Sequence, residues 1–361
     1  MSLRRALVDS FNYLLPFAVS CVLFLGPVYI ARFYMISRGL PPPCPPGFVE
    51  TGQGWCDWGR LNPLLFYDAV HYLAIAKEGY VPWAGEVWGR TCWYPLYPLL
   101  IRLLGSTPAS AVAVSALSFL GAIAAAYYLG GKRAAWALAL NPLGLLCFSA
   151  YSESLFLCLT GWTLFFLLKG RYGRAGFMAG LCALCRPVGW AVVAGGILEI
   201  LRQKKIREAA SFLLPAGLLG VLYPLFLWAR FGSPSMAFQA TSTLFGRCLT
   251  WPFLGLLQDG FRFLYMSPSD KLMVLVNLPF GLYFLSKALK GRFWFSLPYA
   301  LLAISQGICR PGYVPSCHGL LRYAGGCFPW CLGIFTPVQM ALNALLGMLV
   351  SWMLFQKWFI F

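Results

Sequence analysis

Asp68 and His71 stand three residues apart in Phe66-Tyr67-Asp68-Ala69-Val70-His71-Tyr72, and on a helix an i, i+3 pair shares one face. A carboxylate beside an imidazole, walled by aromatic rings, can take a proton from a hydroxyl and hold a polar substrate. The same residues also suit a helix cap or a surface ion pair, so the local pattern leaves both roles open. His71 is one of two histidines, and the other, His318, sits in no motif. Of the eleven acids, five (Glu50, Asp57, Asp68, Glu78 and Glu86) fall within one segment. Asp9, Glu199 and Glu208 lie beside basic clusters, where solvation or ion pairing accounts for them. Arg186 and Arg322 each interrupt apolar sequence, where an ionisable group is costly and usually functional. A guanidinium holds a phosphate through two parallel hydrogen bonds. The competing roles are a buried pair with Glu153 for Arg186 and an interfacial anchor for Arg322.

The elements that must position these groups follow from composition. Of 361 residues, 60% are hydrophobic and 11% charged, against roughly 25% charged in ordinary soluble domains. That excludes a soluble enzyme with a water-facing shell. The formal charge of +17 does not point to nucleic acid, because the basic residues sit in short clusters between apolar runs. Arg4-Arg5, Lys132-Arg133, Lys169 to Arg174, Arg202 to Arg207 and Lys287 to Arg292 are what cytoplasmic loops carry under the positive-inside rule.

The expected fold is an all-α polytopic membrane protein of about nine to eleven spans in a single integral-membrane domain, since a span needs about 20 apolar residues. A first span over 11–33 starts inside and delivers 37–93 to the outer side. This first outer loop opens Pro- and Gly-rich, then becomes amphipathic near 62–76. There Leu65, Ala69, Tyr72 and Leu73 recur at helical spacing, which predicts a helix lying at the interface. Residues 94–229 form core spans. A short helix opened by Pro95 and Pro98 runs to Leu104, and spans follow near 109–129, 134–147 and 154–168. The stretch 175–201 is basic at both ends but too short for two ordinary spans, which predicts two short helices meeting at Arg186-Pro187. A span near 209–229 leads to a second outer segment, 230–269. The C-terminal region, 270–361, is expected to cross near 272–285, 293–308, 318–335 and 338–355.

Among the 13 cysteines, Cys21, Cys147, Cys158, Cys182 and Cys185 fall in apolar runs and read as small hydrophobes. Bridges Cys44–Cys56 and Cys309–Cys317 are the candidate disulfides on the outer side.

The motif carrying Asp68 extends further. Asp68 to Ala76 followed by Gly79-Tyr80 resembles the W-D-x-x-H-[FY]-x-x-I-A-x-x-G-Y signature of the PIG-V-like mannosyltransferases, with Tyr67 in place of the usual Trp. Trp93-Tyr94-Pro95-Leu96-Tyr97-Pro98 is similar to that family's F-[FY]-P-L-[FY]-P motif. Asn141-Pro142 with Tyr151-Ser152-Glu153-Ser154-Leu155-Phe156 resembles its N-P…Y-[ST]-E-S-L-F block, and Gly180-Leu181 through Arg186-Pro187-Val188-Gly189 its A-G-L…[ST]-R-x-x-G block. Phe231 to Pro234, Trp251-Pro252-Phe253 and Arg322-Tyr323…Phe328-Pro329 fit later landmarks, in order.

The resemblance implies a GT-C-type bundle, a glycosyltransferase superfamily of the membrane, and a polyprenyl-phosphate sugar donor, usually dolichyl-phosphate mannose. It implies an outer or luminal active site and an acid of the first outer loop, at Asp68, as general base. His71, Glu153, Arg186, Arg322 and Tyr323 would then bind the substrates. Tyr94, Tyr97 and Trp251 would stack on sugar or line a lipid groove, unless they belong to the interfacial aromatic belt. It implies no metal and no cofactor beyond the lipid-linked co-substrate. The partners are a glycolipid or glycan acceptor and membrane lipids, in a prokaryotic cell membrane or the endoplasmic reticulum. A lipid flippase or transporter is the competing class, because it too needs many spans, a broken helix and intramembrane arginines. A non-catalytic scaffold is a third.

Overall fold

The computed structural model describes residues 3–38, 63–81, 90–308, 315–317, 319–333 and 335–355. Glu50, Asp57, Glu86, His318 and the Cys44–Cys56 pair lie outside the described residues. The described chain is almost wholly helical. It begins with α1 (Leu3–Ser37), α2 (Asp68–Glu78), α3 (Leu96–Leu103), α4 (Pro108–Ala139) and α5 (Gly144–Phe148). Next come α6 (Glu153–Leu168), α7 (Tyr172–Cys185), α8 (Gly189–Arg202), α9 (Ile206–Gly220) and α10 (Leu222–Phe231). Then follow α11 (Met236–Phe245), β1 (Arg247–Leu249), α12 (Leu254–Arg262), α13 (Pro268–Ile304), β2 (Gln306–Ile308), α14 (Leu320–Gly326) and α15 (Pro337–Phe355). Among the described residues, Asp9–Tyr34, Pro108–Ala139, Ile206–Phe231 and Pro268–Ile304 are long and apolar enough to cross a bilayer, and α6 and Pro337–Ser351 are shorter apolar helices. This is an all-α membrane protein.

The elements depart from the hydropathy reading in four places. The expected span 109–129 and the first part of the expected span 134–147 are one helical run bent at Gly131, whose φ of 68° only glycine adopts readily. The run ends before Asn141-Pro142, where the Asn141 side chain accepts the Leu143 N–H (2.9 Å); the second of these spans is therefore two short pieces. The expected pair 272–285 and 293–308 is a single element, α13, kinked at Arg292, which is extended. Among the described residues of 318–335 no helix is long enough to span: α14 has seven residues and a 3-10 turn, Phe328–Leu332, follows. The helix leaves helical backbone at Cys327 (ψ 82°), and Pro329 has no N–H to give the Gly325 carbonyl, which accepts the Trp330 indole N–H instead (2.9 Å). Finally, α2 does not lay its apolar stripe on an interface. Leu65, Ala69 and Tyr72 through Ala76 are all buried.

The chain divides into two compact units: Met1–Lys77, Tyr97–Cys158 and Ile334–Phe359 form one, and Glu78–Leu96 with Leu159–Gly333 form the body of the other. In the first, α1 packs along α4 and α15, and α5 touches all three. Phe24 fills the centre, and a Cβ at Gly144 or Gly347 would run into its ring. Small residues that admit a neighbour this closely are what membrane helices use to pack, since lipid gives them little hydrophobic drive to associate. Asp9 is held within this unit: the Tyr127 hydroxyl donates to it (2.9 Å) and accepts from Asn12 (3.1 Å).

In the second unit α7 and α9 run parallel. A Cβ at Gly176 would meet the Phe212 carbonyl, and one at Gly180 would crowd Ala216. Helix α8 returns between their ends and packs on α13, with Gly195 against the Phe295 carbonyl. A short antiparallel ribbon, β1 with β2, pairs Arg247 with Ile308 and Cys248 with Gly307.

Candidate functional site

In the first unit the chain enters α2 through Tyr67, a non-glycine residue at φ 41°. That left-handed backbone is uncommon for a bulky side chain and persists only where its surroundings hold it. The holding contacts are specific. The Phe66 ring lies 5.1 Å from the Tyr151 ring, the Ala150 N–H donates to the Leu64 carbonyl (3.0 Å), and the Asp68 N–H donates to the Tyr151 hydroxyl (3.3 Å). Asp68 thus opens α2, in the first turn where acidic residues are favoured. Asp68, Val70 and His71 are half-buried while Ala69 and Tyr72 through Ala76 are buried, so Asp68 and His71 share the partly open side of α2.

Behind them runs a chain of hydroxyls. The Tyr72 hydroxyl is 2.8 Å from Ser152 Oγ, and its ring meets the Tyr97 ring edge-on at 5.0 Å. The Tyr97 hydroxyl is 2.7 Å from Ser115 Oγ, which donates to the Tyr151 carbonyl (3.1 Å). Two segments some eighty residues apart in sequence are thereby locked together. Glu153, the first residue of α6, is 2% exposed at the end of this block, and Ser154 Oγ donates to the Cys147 carbonyl. Tyr97 is fully buried and acts as a brace for Tyr72 rather than as a surface. Sequence reading singled out Asp68, His71, Tyr97 and Glu153 but missed Tyr72, Ser115, Tyr151 and Ser152 as the ties between them. The signal was available: small hydroxyl residues in buried apolar sequence must find partners.

In the second unit the segment 90–96 is fixed by the Tyr80 hydroxyl donating to the Trp93 carbonyl (2.6 Å) and the Tyr223 hydroxyl to that of Thr91. Arg90 lies 3.7 Å from Glu78; burial lowers the guanidinium's affinity for its proton, and the carboxylate opposes that. Tyr94 is buried with Leu184, Tyr223 and Leu227, its ring 4.8 Å from Tyr223. Burial raises its phenol well above the usual range. Arg186, half-buried, ends α7 in extended backbone (φ −154°, ψ 153°), as a residue before proline prefers. The helix resumes at Gly189, whose carbonyl-crowded position tolerates no Cβ.

Trp251 is 81% exposed beside β1. Arg322 and Tyr323 sit on α14, both half-buried, and the Tyr299 hydroxyl donates to the Tyr323 carbonyl (2.9 Å). The Tyr323 ring and the Arg247 guanidinium both approach the space above Gly319. Arg247 is a cation of this region that sequence reading passed over. Sequence reading also gave no role to the anchoring acid, Asp259. Its two carboxylate oxygens, 2% exposed, accept the Ser316 and Cys317 N–H groups at 2.9 and 2.8 Å. Cys317 is a free thiol, so the expected Cys309–Cys317 bridge does not form; Cys248 is disulfide-bonded instead. Among the described residues no three His, Cys, Asp or Glu side chains group closely enough to hold a metal ion.

The site residues therefore fall into two sets: Asp68, His71, Tyr97 and Glu153 in the first unit, and Tyr94, Arg186, Trp251, Arg322 and Tyr323 in the second. Compared with models of protein families, with curated proteins and with solved structures, the chain matches none.

Proposed function

We propose that the protein is a membrane glycosyltransferase of the GT-C type. It moves a mannose or related hexose from a polyprenyl- or dolichyl-phosphate sugar to a hydroxyl of a glycolipid or glycan acceptor. One observation carries the reading: the Asp68–His71 segment and the Tyr151–Glu153 segment, which resemble two blocks of one mannosyltransferase family, are joined through Tyr151, Tyr72 and Ser152. Families that merely share composition have no reason to place those two blocks in contact.

In this reading the acceptor oxygen attacks the anomeric carbon while its proton passes to the Asp68 carboxylate. The bond from that carbon to the phosphate oxygen breaks, and its electron pair leaves with the lipid phosphate. Arg186 and Arg322 serve the growing phosphate charge, for which a permanently protonated, two-pronged donor is suited. His71, one turn from Asp68, holds an acceptor hydroxyl. The outward or luminal placement draws support from Cys248, since disulfides persist in oxidising compartments. A prokaryotic cell membrane or the endoplasmic reticulum membrane is the corresponding location.

The test is transfer of labelled hexose from dolichyl-phosphate mannose by purified protein in detergent, with membrane lipids as acceptors. Asp68→Asn keeps the shape and removes the base, so transfer should fall about 10²–10⁴-fold with donor binding retained. Parental transfer by Asp68→Asn would remove Asp68 from the role. Lipid export without any sugar transfer would replace the reading with a flippase.

A further inference from the structure

Within the second unit, the end of α6 with α7 and α9 encloses an open groove of about 530 Å³ that the proposed reaction does not use. Its walls are apolar: Phe166 of α6, Phe177 and Met178 of α7, and Pro215 of α9. Its floor is Gly173 and Ser211, where the parallel helices part below their close crossing at Gly176 and Phe212. Polar groups occur at one end only. Arg174 is exposed there. The Ser211 carbonyl faces Gly173 and has lost its helical donor, because Pro215 four residues on has no N–H.

Charge around this end is one-sided. Because α7 and α9 are parallel, the turns that precede them lie at the same end, and Lys169, Arg171, Lys204, Lys205 and Arg207 are all exposed there. Glu208 is the acid of these turns. The two helix N-termini add their own positive ends. The other end opens onto lipid-facing surface, where Phe177, Leu214 and Leu218 are 47%, 66% and 62% exposed. Leu214 and Leu218 extend the stripe of Ser211 and Pro215 along a helix of membrane-spanning length.

We propose that this groove binds one anionic glycerophospholipid of the cytoplasmic leaflet. An acyl chain lies along Phe166, Phe177, Met178 and Pro215, the phosphate meets Arg174, and a headgroup hydroxyl donates to the Ser211 carbonyl. A zwitterionic lipid carries no net charge for the basic rim, and its choline headgroup has no hydroxyl for the carbonyl. Basic pockets between helices at a cytoplasmic surface select anionic headgroups for the same reason. The inference does not depend on the proposed sugar transfer.

The experiment is native mass spectrometry of the full-length protein in detergent, titrated with phosphatidylglycerol or phosphatidylcholine, with inorganic phosphate as competitor. Phosphatidylglycerol should bind in preference and resist millimolar phosphate. Arg174→Ala should weaken it at least about tenfold, the scale of one charge-assisted contact. Ser211→Leu fills the groove without changing charge and should abolish binding, while Lys204→Ala, outside the groove, should change it less than about twofold. Equal affinity for both lipids overturns the proposal, as does phosphatidylglycerol binding that survives Ser211→Leu. Displacement by inorganic phosphate would show an anion site rather than a lipid site. If Arg174→Ala fails to fold, Arg174→Gln and Ser211→Leu decide the matter.

Discussion

Replacing Asp259 by alanine should release the turn at 315–317. Its carboxylate, 2% exposed, accepts two backbone N–H groups at 2.9 and 2.8 Å. A hydrogen bond to a charged group is worth about 1.5–3 kcal/mol, and its removal leaves a buried donor unsatisfied. Two such bonds put the cost at about 3 kcal/mol or more, which is roughly 150-fold in the local opening equilibrium. Cys317 reports that opening directly, being a free thiol 1% exposed within the turn. Burial, and then the neighbouring Asp259 charge, raise its pKa far above that of an ordinary thiol. The closed state therefore holds the thiol protonated and shielded. Maleimide labelling must proceed from the opened turn, where the thiol is solvated and titrates normally, so the rate reads the opening. Quantifying the labelled Cys317 peptide over time should show Asp259→Ala reacting roughly 150-fold faster than the parent. Asp259→Asn keeps one acceptor oxygen and should fall about halfway on a logarithmic scale. Parental labelling of Asp259→Ala in a protein with an unchanged melting temperature would refute the clamp.

Two further outcomes follow from the geometry and one from the proposed function. The 2.8 Å contact between Tyr72 and Ser152 predicts that Tyr72→Phe and Ser152→Ala each lower stability by about 1–3 kcal/mol, the double variant by less than the sum; thermal unfolding in detergent measures the coupling, and additivity would break the proposed joint. Gly176→Leu drives a side chain into the Phe212 carbonyl and should destabilise by at least about 1–3 kcal/mol, whereas Gly217→Leu, with open space around it, should cost about 0.5 kcal/mol or less in the same assay. If the proposed sugar transfer holds, Arg186→Ala should weaken dolichyl-phosphate mannose binding about 10- to 100-fold and slow transfer with it; loss of transfer at unchanged donor affinity would assign Arg186 to positioning instead.

Some of this molecule is written in local sequence. The membrane class follows from composition, because a chain this poor in charge cannot cover itself with a polar shell. The break after Cys185 follows from Arg186-Pro187, because proline disfavours helical backbone before itself and offers no N–H. The helix carrying Asp68 and His71 follows from spacing alone. Tertiary structure decided what hydropathy cannot sense. Whether an apolar run is a straight span, a kinked one or a turn depends on single residues: Gly131 and Arg292 bend long helices, and Pro329 ends a run that reads as a span. The burial of α2 on nearly every side depends on Tyr97, Ser115, Tyr151 and Ser152, which are distant in sequence and ordinary in type. Asp259 looked like any loop acid until two backbone N–H groups from residues 316 and 317 converged on it. Hydropathy is a sum over neighbours along the chain, while these partnerships are set by which distant hydroxyl or amide must be satisfied once water is excluded.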